Sequence, residues 1–150
     1  MTLMRSYLRR AGFDVRGWGL GFNRAGAETK SPLSTLPAHW NVPDGQVDSG
    51  EGEVPHLVER MAEVIRARAR EHNRPIALVG WSLGGIFARE LSRNHPDSVR
   101  QVITLGSPIR MTPGDKSAAS GMWDSLQGLH DPDAVEIMSQ TNRPPLPVPT

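Results

Sequence analysis

One serine in the chain stands in a pattern that favours nucleophilic chemistry. Gly80-Trp81-Ser82-Leu83-Gly84 follows an apolar run, Ile76 to Val79, and precedes an amphipathic stretch, Gly85 to Asn94. This order predicts a strand, a sharp turn that carries Ser82, and a helix. A serine hydroxyl is a poor nucleophile until a base activates it and the backbone exposes its Oγ. The turn supplies the exposure, and the flanking glycines leave room where strand and helix crowd together.

The elements that position this turn follow from hydrophobic periodicity. Apolar residues at helical spacing predict helices over residues 2–11 and from Val54 to about His72. Nearly continuous apolar runs predict strands from Ile76 to Gly80 and from Val99 to Leu105, as is typical of parallel strands covered by helices. A shorter strand is expected from Phe13 to Trp18. The alternation of strands and helices predicts an α/β fold with a parallel sheet.

The remaining segments give weaker signals, and the chain of 150 residues is expected to form a single domain, 1–150. Residues 22–53 have no clear period and contain several prolines, so we expect a long loop there. Residues 111–142 suggest a helical tail, and the proline-rich end, 143–150, is expected to be extended and unable to join a central ladder.

The composition excludes several classes of function. The formal net charge is +1, so the charge balance does not favour nucleic acid as a partner. The chain has no cysteine, which removes disulfides, thiolate nucleophiles and cysteine-bound metals and fits a cytoplasmic location. No apolar run is long enough to span a membrane, and no histidine spacing indicates a metal site. We therefore expect no cofactor and no metal.

A glycine-rich stretch offers a competing prediction, dinucleotide binding. Gly17, Gly19 and Gly21 follow the predicted short strand, but Phe22 and Arg24 occupy the positions where the third glycine of a phosphate-binding turn would stand. No helical pattern follows directly, and the chain has no phosphate-binding loop ending in Gly-Lys. The spacing therefore argues against a nucleotide-binding protein.

Two segments resemble the α/β-hydrolase superfamily. The first joins Ile76–Leu91 to Val99–Pro108, and the second, Tyr7–Val15 running into Gly17–Asn23, is similar to bacterial lipase-like and esterase-like hydrolases. The resemblance implies a three-layer parallel sheet flanked by helices. It also implies that Ser82 is the acylated nucleophile. The backbone N–H of Leu83 would then be an oxyanion-hole donor, which agrees with its place at a helix N-terminus.

The partners of the serine are harder to find. In the resembled family an acid and then a histidine follow the nucleophile, and only His95 and His130 follow Ser82 in this chain. His95 lies in the turn directly after the helix, so we interpret it as a surface turn residue. His130 is the remaining candidate base, with Asp115 and Asp124 upstream, although neither acid follows a predicted strand and the surroundings of His130 resemble the start of a helix.

The resembled family also has a strand and loop before the first helix, and that loop supplies the second oxyanion donor. We therefore expect that this sequence is the middle of a longer hydrolase, truncated at both ends: before the oxyanion strand, and at Thr150 before the strand that carries the acid. Without the missing strand, residues 13–18 would pair directly with the Ile76 strand, or the sheet would open.

Two functions from different classes remain. The first is a serine hydrolase that cleaves an ester, thioester or amide through an acyl-Ser82 intermediate, and we expect its substrate to be a small-molecule or lipid carboxylic ester. The second is a truncated, non-catalytic remnant or interaction module that keeps the hydrolase core. Apolar side chains that would line an acyl pocket, or simply form core, are Trp81, Leu83, Phe87, Met111, Met122 and Trp123. Substrate identity and oligomeric state stay open.

Overall fold

The structure is a computed structural model that describes residues 2–19, 33–35, 37–38, 53–107, 109 and 146–150. Within these ranges the chain alternates helices with parallel strands. The helices are α1 (Thr2–Arg10), α2 (Glu53–Glu71) and α3 (Leu83–Asn94), the strands are β1 (Ile76–Trp81) and β2 (Val99–Leu105), and short 3-10 turns occupy Leu33–Thr35 and Pro96–Ser98.

The three helices predicted before β2 and the two apolar strands are confirmed to within a few residues at their ends. Helix α1 stops where Gly12 takes a left-handed backbone with φ of +89°. That conformation lets the N–H groups of Gly12 and Phe13 donate to the Arg9 and Leu8 carbonyls at 3.0 and 3.1 Å. The glycine therefore satisfies carbonyls that the helix end leaves without partners.

The sheet explains where the serine turn must lie. Strands β1 and β2 are parallel, with Trp81 beside Leu105 in the register, and α3 is the crossover between them. Helix α3 packs on both strands, and α2 packs on α3 and β1. Because the strands are parallel, their carboxyl ends meet at one edge, and Ser82 follows directly at that edge. The α/β class with a parallel sheet is confirmed.

The core lies between the two helices and one face of the sheet. Val58, Leu91 and Val102 have no exposed surface, and Phe87 is 2% exposed. The full buried cluster comprises Leu57, Val58, Ala62, Ile65, Phe87, Ala88, Leu91, Val99 and Val102. Side chains of a strand alternate between faces, so the neighbouring positions Trp81, Ile103 and Leu105 point away from this core and are 60%, 41% and 41% exposed.

The expected strand from Phe13 to Trp18 is wrong, because residues 13–18 have no strand structure. A strand persists when its backbone groups pair with a neighbour, and in the described residues the sheet contains β1 and β2 alone. The Arg9 guanidinium instead donates to the Val15 carbonyl at 2.9 and 3.2 Å. Direct pairing of this segment with β1, one of the two expected consequences of a missing strand, is therefore absent from the described structure, although Trp18 packs against the core.

The end of the chain lies beside β2. The N–H of Val102 donates to the Pro149 carbonyl at 3.0 Å, and Val148 packs against the core. A proline carbonyl can accept a hydrogen bond although the residue has no N–H to donate, and within residues 146–150 this is the one backbone hydrogen bond to β2, with no ladder. The predicted 111–142 helical tail lies outside the described residues, as does most of the 22–53 loop. Among the described helices, none is both long and apolar enough to cross a membrane.

Candidate active site

Ser82 has the backbone geometry of an exposed nucleophile. It is a non-glycine residue with φ of 54° and ψ of −128°, between the last residue of β1 and the first of α3. Such a conformation costs about 1–3 kcal/mol and persists only where the surrounding structure enforces it. Ser82 is the N-cap of α3, yet its side chain makes no capping hydrogen bond. The hydroxyl is therefore not used for the role that serine most often has at a helix start.

Two close approaches enforce this turn. A Cβ at Gly80 would lie 2.5 Å from the Gly84 carbonyl carbon, with the Gly84 oxygen and the Gly85 Cα closer still. A Cβ at Gly85 would overlap the Ser107 Oγ and lie 2.8 Å from the Ser107 Cβ. Real Cβ contacts essentially never fall under 3.0 Å, so strand and helix reach this separation only because both positions are glycine.

The end of β2 holds the turn from the other side. The N–H of Ser82 donates to the Leu105 carbonyl at 2.9 Å, and the N–H of Gly85 donates to the Ser82 carbonyl at 2.9 Å. Ser107 fills the notch left by Gly85, and its buried hydroxyl has no hydrogen-bond partner among the described residues. The position of the nucleophile is thus set by two strands and one helix.

The start of α3 is suited to bind a developing negative charge. Leu83 is the first helical residue, and the first N–H groups of a helix have no partner within it. No acidic residue lies in the first turn of α3, so the positive end of the helix dipole is not neutralised there by a side chain of the same helix. An oxyanion formed beside Ser82 would meet the Leu83 N–H, the donor that the resemblance implied.

His95 lies away from Ser82. His95 caps the far end of the 12-residue helix α3, about 18 Å from its start. It lies in the turn where we placed it, but it is half-buried with a buried Nε2, so it is not the surface residue that we expected. His130, the candidate base, lies outside the described residues, as do Asp115 and Asp124.

A carboxylate–imidazole pair that the sequence analysis did not identify joins Asp14 and His72. The Asp14 Oδ2 lies 3.8 Å from the His72 Nε2. The hydrogen bond from Arg16, at 2.8 Å, is the main cause that lowers the pKa of Asp14. His72 precedes the amino end of β1, whereas Ser82 follows its carboxyl end. The pair is therefore not a partner for Ser82. Sequence analysis could not identify it, because the two residues are far apart in the chain and no local pattern links them.

The apolar residues predicted near the turn divide between core and surface. Phe87 belongs to the core and Leu83 packs against it, whereas Trp81 is 60% exposed with its indole over Gly106. Met111, Met122 and Trp123 lie outside the described residues. Among the residues that the structure describes, no group of three or more histidine, aspartate or glutamate side chains could hold a metal ion.

A parallel sheet with a strained serine between strand and helix defines the class of this protein. The chain belongs to the α/β hydrolase fold family, whose pattern it matches over residues 11–133. No solved structure matches the chain significantly.

Curated relatives of the chain are bacterial enzymes. It is 35% identical over 103 residues to a pimeloyl-[acyl-carrier protein] methyl ester esterase of Neisseria meningitidis, a match that covers 65% of this chain and 37% of the relative. It is 31% identical over 115 residues to the protein of the same name from Vibrio vulnificus, covering 75% and 40%. A biotin biosynthesis bifunctional protein of Teredinibacter turnerae is 27% identical over 119 residues, covering 77% and 19%. The chain spans less than half the length of these relatives.

Proposed function

We propose that the chain contains the nucleophile of an esterase that cleaves carboxylic esters through an acyl-Ser82 intermediate. The observation that carries the proposal is the backbone of Ser82, held at positive φ at the carboxyl edge of the sheet with its hydroxyl uncommitted to capping. A serine that the surrounding structure holds in a strained backbone conformation is typical of an active site, where that conformation exposes the hydroxyl to the substrate.

The reaction has two halves. The Ser82 Oγ attacks the ester carbonyl while a base takes its proton, and the carbonyl oxygen becomes an oxyanion that accepts a hydrogen bond from the Leu83 N–H. The carbon–oxygen bond to the leaving alcohol then breaks, and the alcohol takes the proton from the base. Water attacks the acyl-serine in the second half, which releases the acid and restores the Ser82 hydroxyl. His130 is the candidate base.

The relatives suggest a narrower substrate class. Proteins named as methyl ester esterases of an acyl group on a carrier protein match this chain over 65% and 75% of its length. We propose a methyl ester of a carboxylic acyl chain as the substrate, so that methanol is the leaving alcohol. The exposed indole of Trp81, the residue before the nucleophile, offers an apolar surface to such a chain. A cytoplasmic location stays a prediction, supported by the cysteine-free composition.

Labelling with a fluorophosphonate probe tests the nucleophile. We expect a covalent adduct on Ser82, located by peptide mass spectrometry, and no adduct in Ser82→Ala. Ser6→Ala is the matched control, because Ser6 is exposed within α1 and its loss should leave labelling unchanged. A folded sample that never reacts would contradict the proposal and favour the non-catalytic remnant.

Hydrolysis gives a second, independent measurement. Methanol release from a methyl ester should depend on Ser82, and Ser82→Ala should reduce it to a small fraction of the rate of the unaltered chain. Loss of a nucleophile or base in such sites leaves only a small residual rate over water, of about 10³–10⁴-fold. If the probe labels Ser82 but no methanol is released, the assignment of Ser82 as nucleophile stands and the methyl ester substrate is refuted. The two outcomes are distinguishable because labelling and hydrolysis are measured separately.

A further inference from the structure

A basic cleft lies at the opposite edge of the sheet from Ser82. Its volume is about 350 Å³, and it is formed where the end of α2 meets the turn before β2. Arg66, Arg70 and Arg74 line it, together with Asn73 and Ser98. Pockets that hold small ligands start at about 300 Å³, so this cleft, which is shallow and open to solvent, has room for a small molecule bound at the surface.

The arginines reach one cleft because of their spacing. Arg66 and Arg70 are four residues apart on α2, so they lie on the same side of the helix. The chain then turns at Asn73, whose φ is 49°, and the N–H of Arg74 donates to the Ala69 carbonyl at 3.0 Å. This fixed turn brings Arg74 back to the same cleft. The arrangement is held by backbone hydrogen bonds and does not depend on the arginine side chains.

These three side chains are uncompensated within the described structure. None of them forms a hydrogen bond or an ion pair with another described residue, in contrast to Arg68, which pairs with Glu71 at 2.5 Å. Three positive charges face a single acid of the cleft, Asp97. Like charges four residues apart on a helix repel one another, so the cluster costs stability unless an anion occupies it. Basic residues are common at helix C-termini because they interact favourably with the helix dipole. That preference explains one of these arginines, but it does not explain why three of them line the same cleft.

We propose that this cleft binds a small molecule that carries a phosphate or diphosphate group. The planar guanidinium fork matches phosphate oxygens with paired hydrogen bonds, and the Asn73 amide and the Ser98 hydroxyl add neutral polar groups. A monocarboxylate would satisfy one arginine and leave the others unpaired. The ligand that matches three arginines is therefore a compact group with several negative charges.

The ligand of this cleft is distinct from the substrate of Ser82. Pro75 lines the cleft just before β1 begins, and Ser82 follows the end of that strand. Six strand residues separate the two positions by about 20 Å, on opposite edges of the sheet. The proposal consequently does not rest on the esterase activity, and each can fail without the other.

Titration calorimetry with sodium pyrophosphate, in a phosphate-free buffer at constant ionic strength, tests the site on the full chain. We expect one saturable binding event, with inorganic phosphate binding more weakly than pyrophosphate. Arg66→Gln with Arg70→Gln should weaken pyrophosphate binding by about tenfold or more, because each charged hydrogen bond that is lost contributes substantially. The matched control removes the same charge elsewhere, with Arg10→Gln and Arg60→Gln at exposed positions outside the cleft.

The outcomes separate a site from general charge attraction. Equal weakening of both double variants, or no saturable heat with the unaltered chain, would overturn the proposal. Asp97→Asn provides a check of opposite sign that does not depend on the arginine variants folding. It removes the one acid that lines the cleft and should strengthen pyrophosphate binding several-fold, so unchanged or weaker binding would contradict the assignment of the cleft.

Discussion

Replacing Gly80 with alanine tests the packing that holds the serine turn. The added Cβ would meet backbone atoms of Gly84 and Gly85, with the Gly84 carbonyl carbon at 2.5 Å. Ordinary contacts of a Cβ begin at 3.4 Å. A flexible side chain could rotate away, but a helix backbone cannot. Helix α3 must therefore move from the sheet by about 1 Å.

The energetic effect follows from what α3 buries. Phe87 and Leu91 are the large core side chains of this helix, and burial of each contributes about 1.5–3 kcal/mol. A gap of 0.5–1 Å loses about a quarter to a half of the dispersion energy of a contact. The helix shift should therefore reduce the free energy of unfolding by about 1–3 kcal/mol, which agrees with the usual magnitude of overpacking, about 1–3 kcal/mol.

Gly84→Ala is the control for this experiment. No atom lies within 4 Å of a Cβ placed at Gly84, although the residue is only four positions away in the same turn. Alanine is favoured over glycine in a helix by about 0.5–1 kcal/mol, so this variant should be neutral or slightly stabilised. The two variants should differ in unfolding free energy by about 1–4 kcal/mol.

Urea unfolding followed by circular dichroism measures that difference, provided that the dependence on urea concentration is unchanged. The rate of fluorophosphonate labelling gives a second measurement, because a shift of α3 moves Leu83 relative to Ser82. Equal stability of Gly80→Ala and Gly84→Ala would refute the close approach of strand and helix. It would also remove the structural reason for glycine before the nucleophile.

Two further predictions concern the same helix. Gly85→Ala should destabilise the chain by about 1–3 kcal/mol in urea unfolding, because the added Cβ meets the Ser107 side chain. Adding Ser107→Gly to this variant should restore most of the lost stability. If the losses of the two substitutions add in the double variant, the contact between Gly85 and Ser107 is contradicted. Glu90→Gln should reduce the free energy of unfolding by about 1–3 kcal/mol, because the buried Glu90 carboxylate lies 3.5 Å from the Arg93 guanidinium and the substitution removes that charged contact. Replacing both by Leu and Met should recover most of the stability in thermal unfolding, and a double variant as unstable as the single one would contradict this account.

Local patterns of the sequence were sufficient to locate the main elements. The apolar run of β2 predicted its ends correctly, and helical spacing located α2 to within a residue or two. The turn at Ser82 was predicted because its glycines, its strand and its helix are contiguous in the chain. The end of α1 is also local, since Gly12 takes the left-handed backbone that a helix end requires.

Features that depend on distant partners were not predictable in this way. Residues 13–18 alternate as a strand does, but a strand also needs a neighbour, and the Arg9 side chain takes the Val15 carbonyl instead. The Asp14–His72 pair joins residues far apart in sequence. The side-chain notch between Gly85 and Ser107 is likewise invisible until α3 lies on β2.

The sequence by itself determined the α/β class, the serine at the strand-to-helix turn and the helix N-terminus beside it, because each depends on adjacent residues and short-range sterics. Only the tertiary structure decided how tightly that turn is held, and which arginines share a cleft. Both depend on the separation of packed elements, which is fixed by the summed burial of the core and by glycines that permit backbone contact. Ser82 depends on both sequence and tertiary structure. The residues next to it in the sequence set its position, whereas its strained backbone conformation is enforced by β1, α3 and the end of β2.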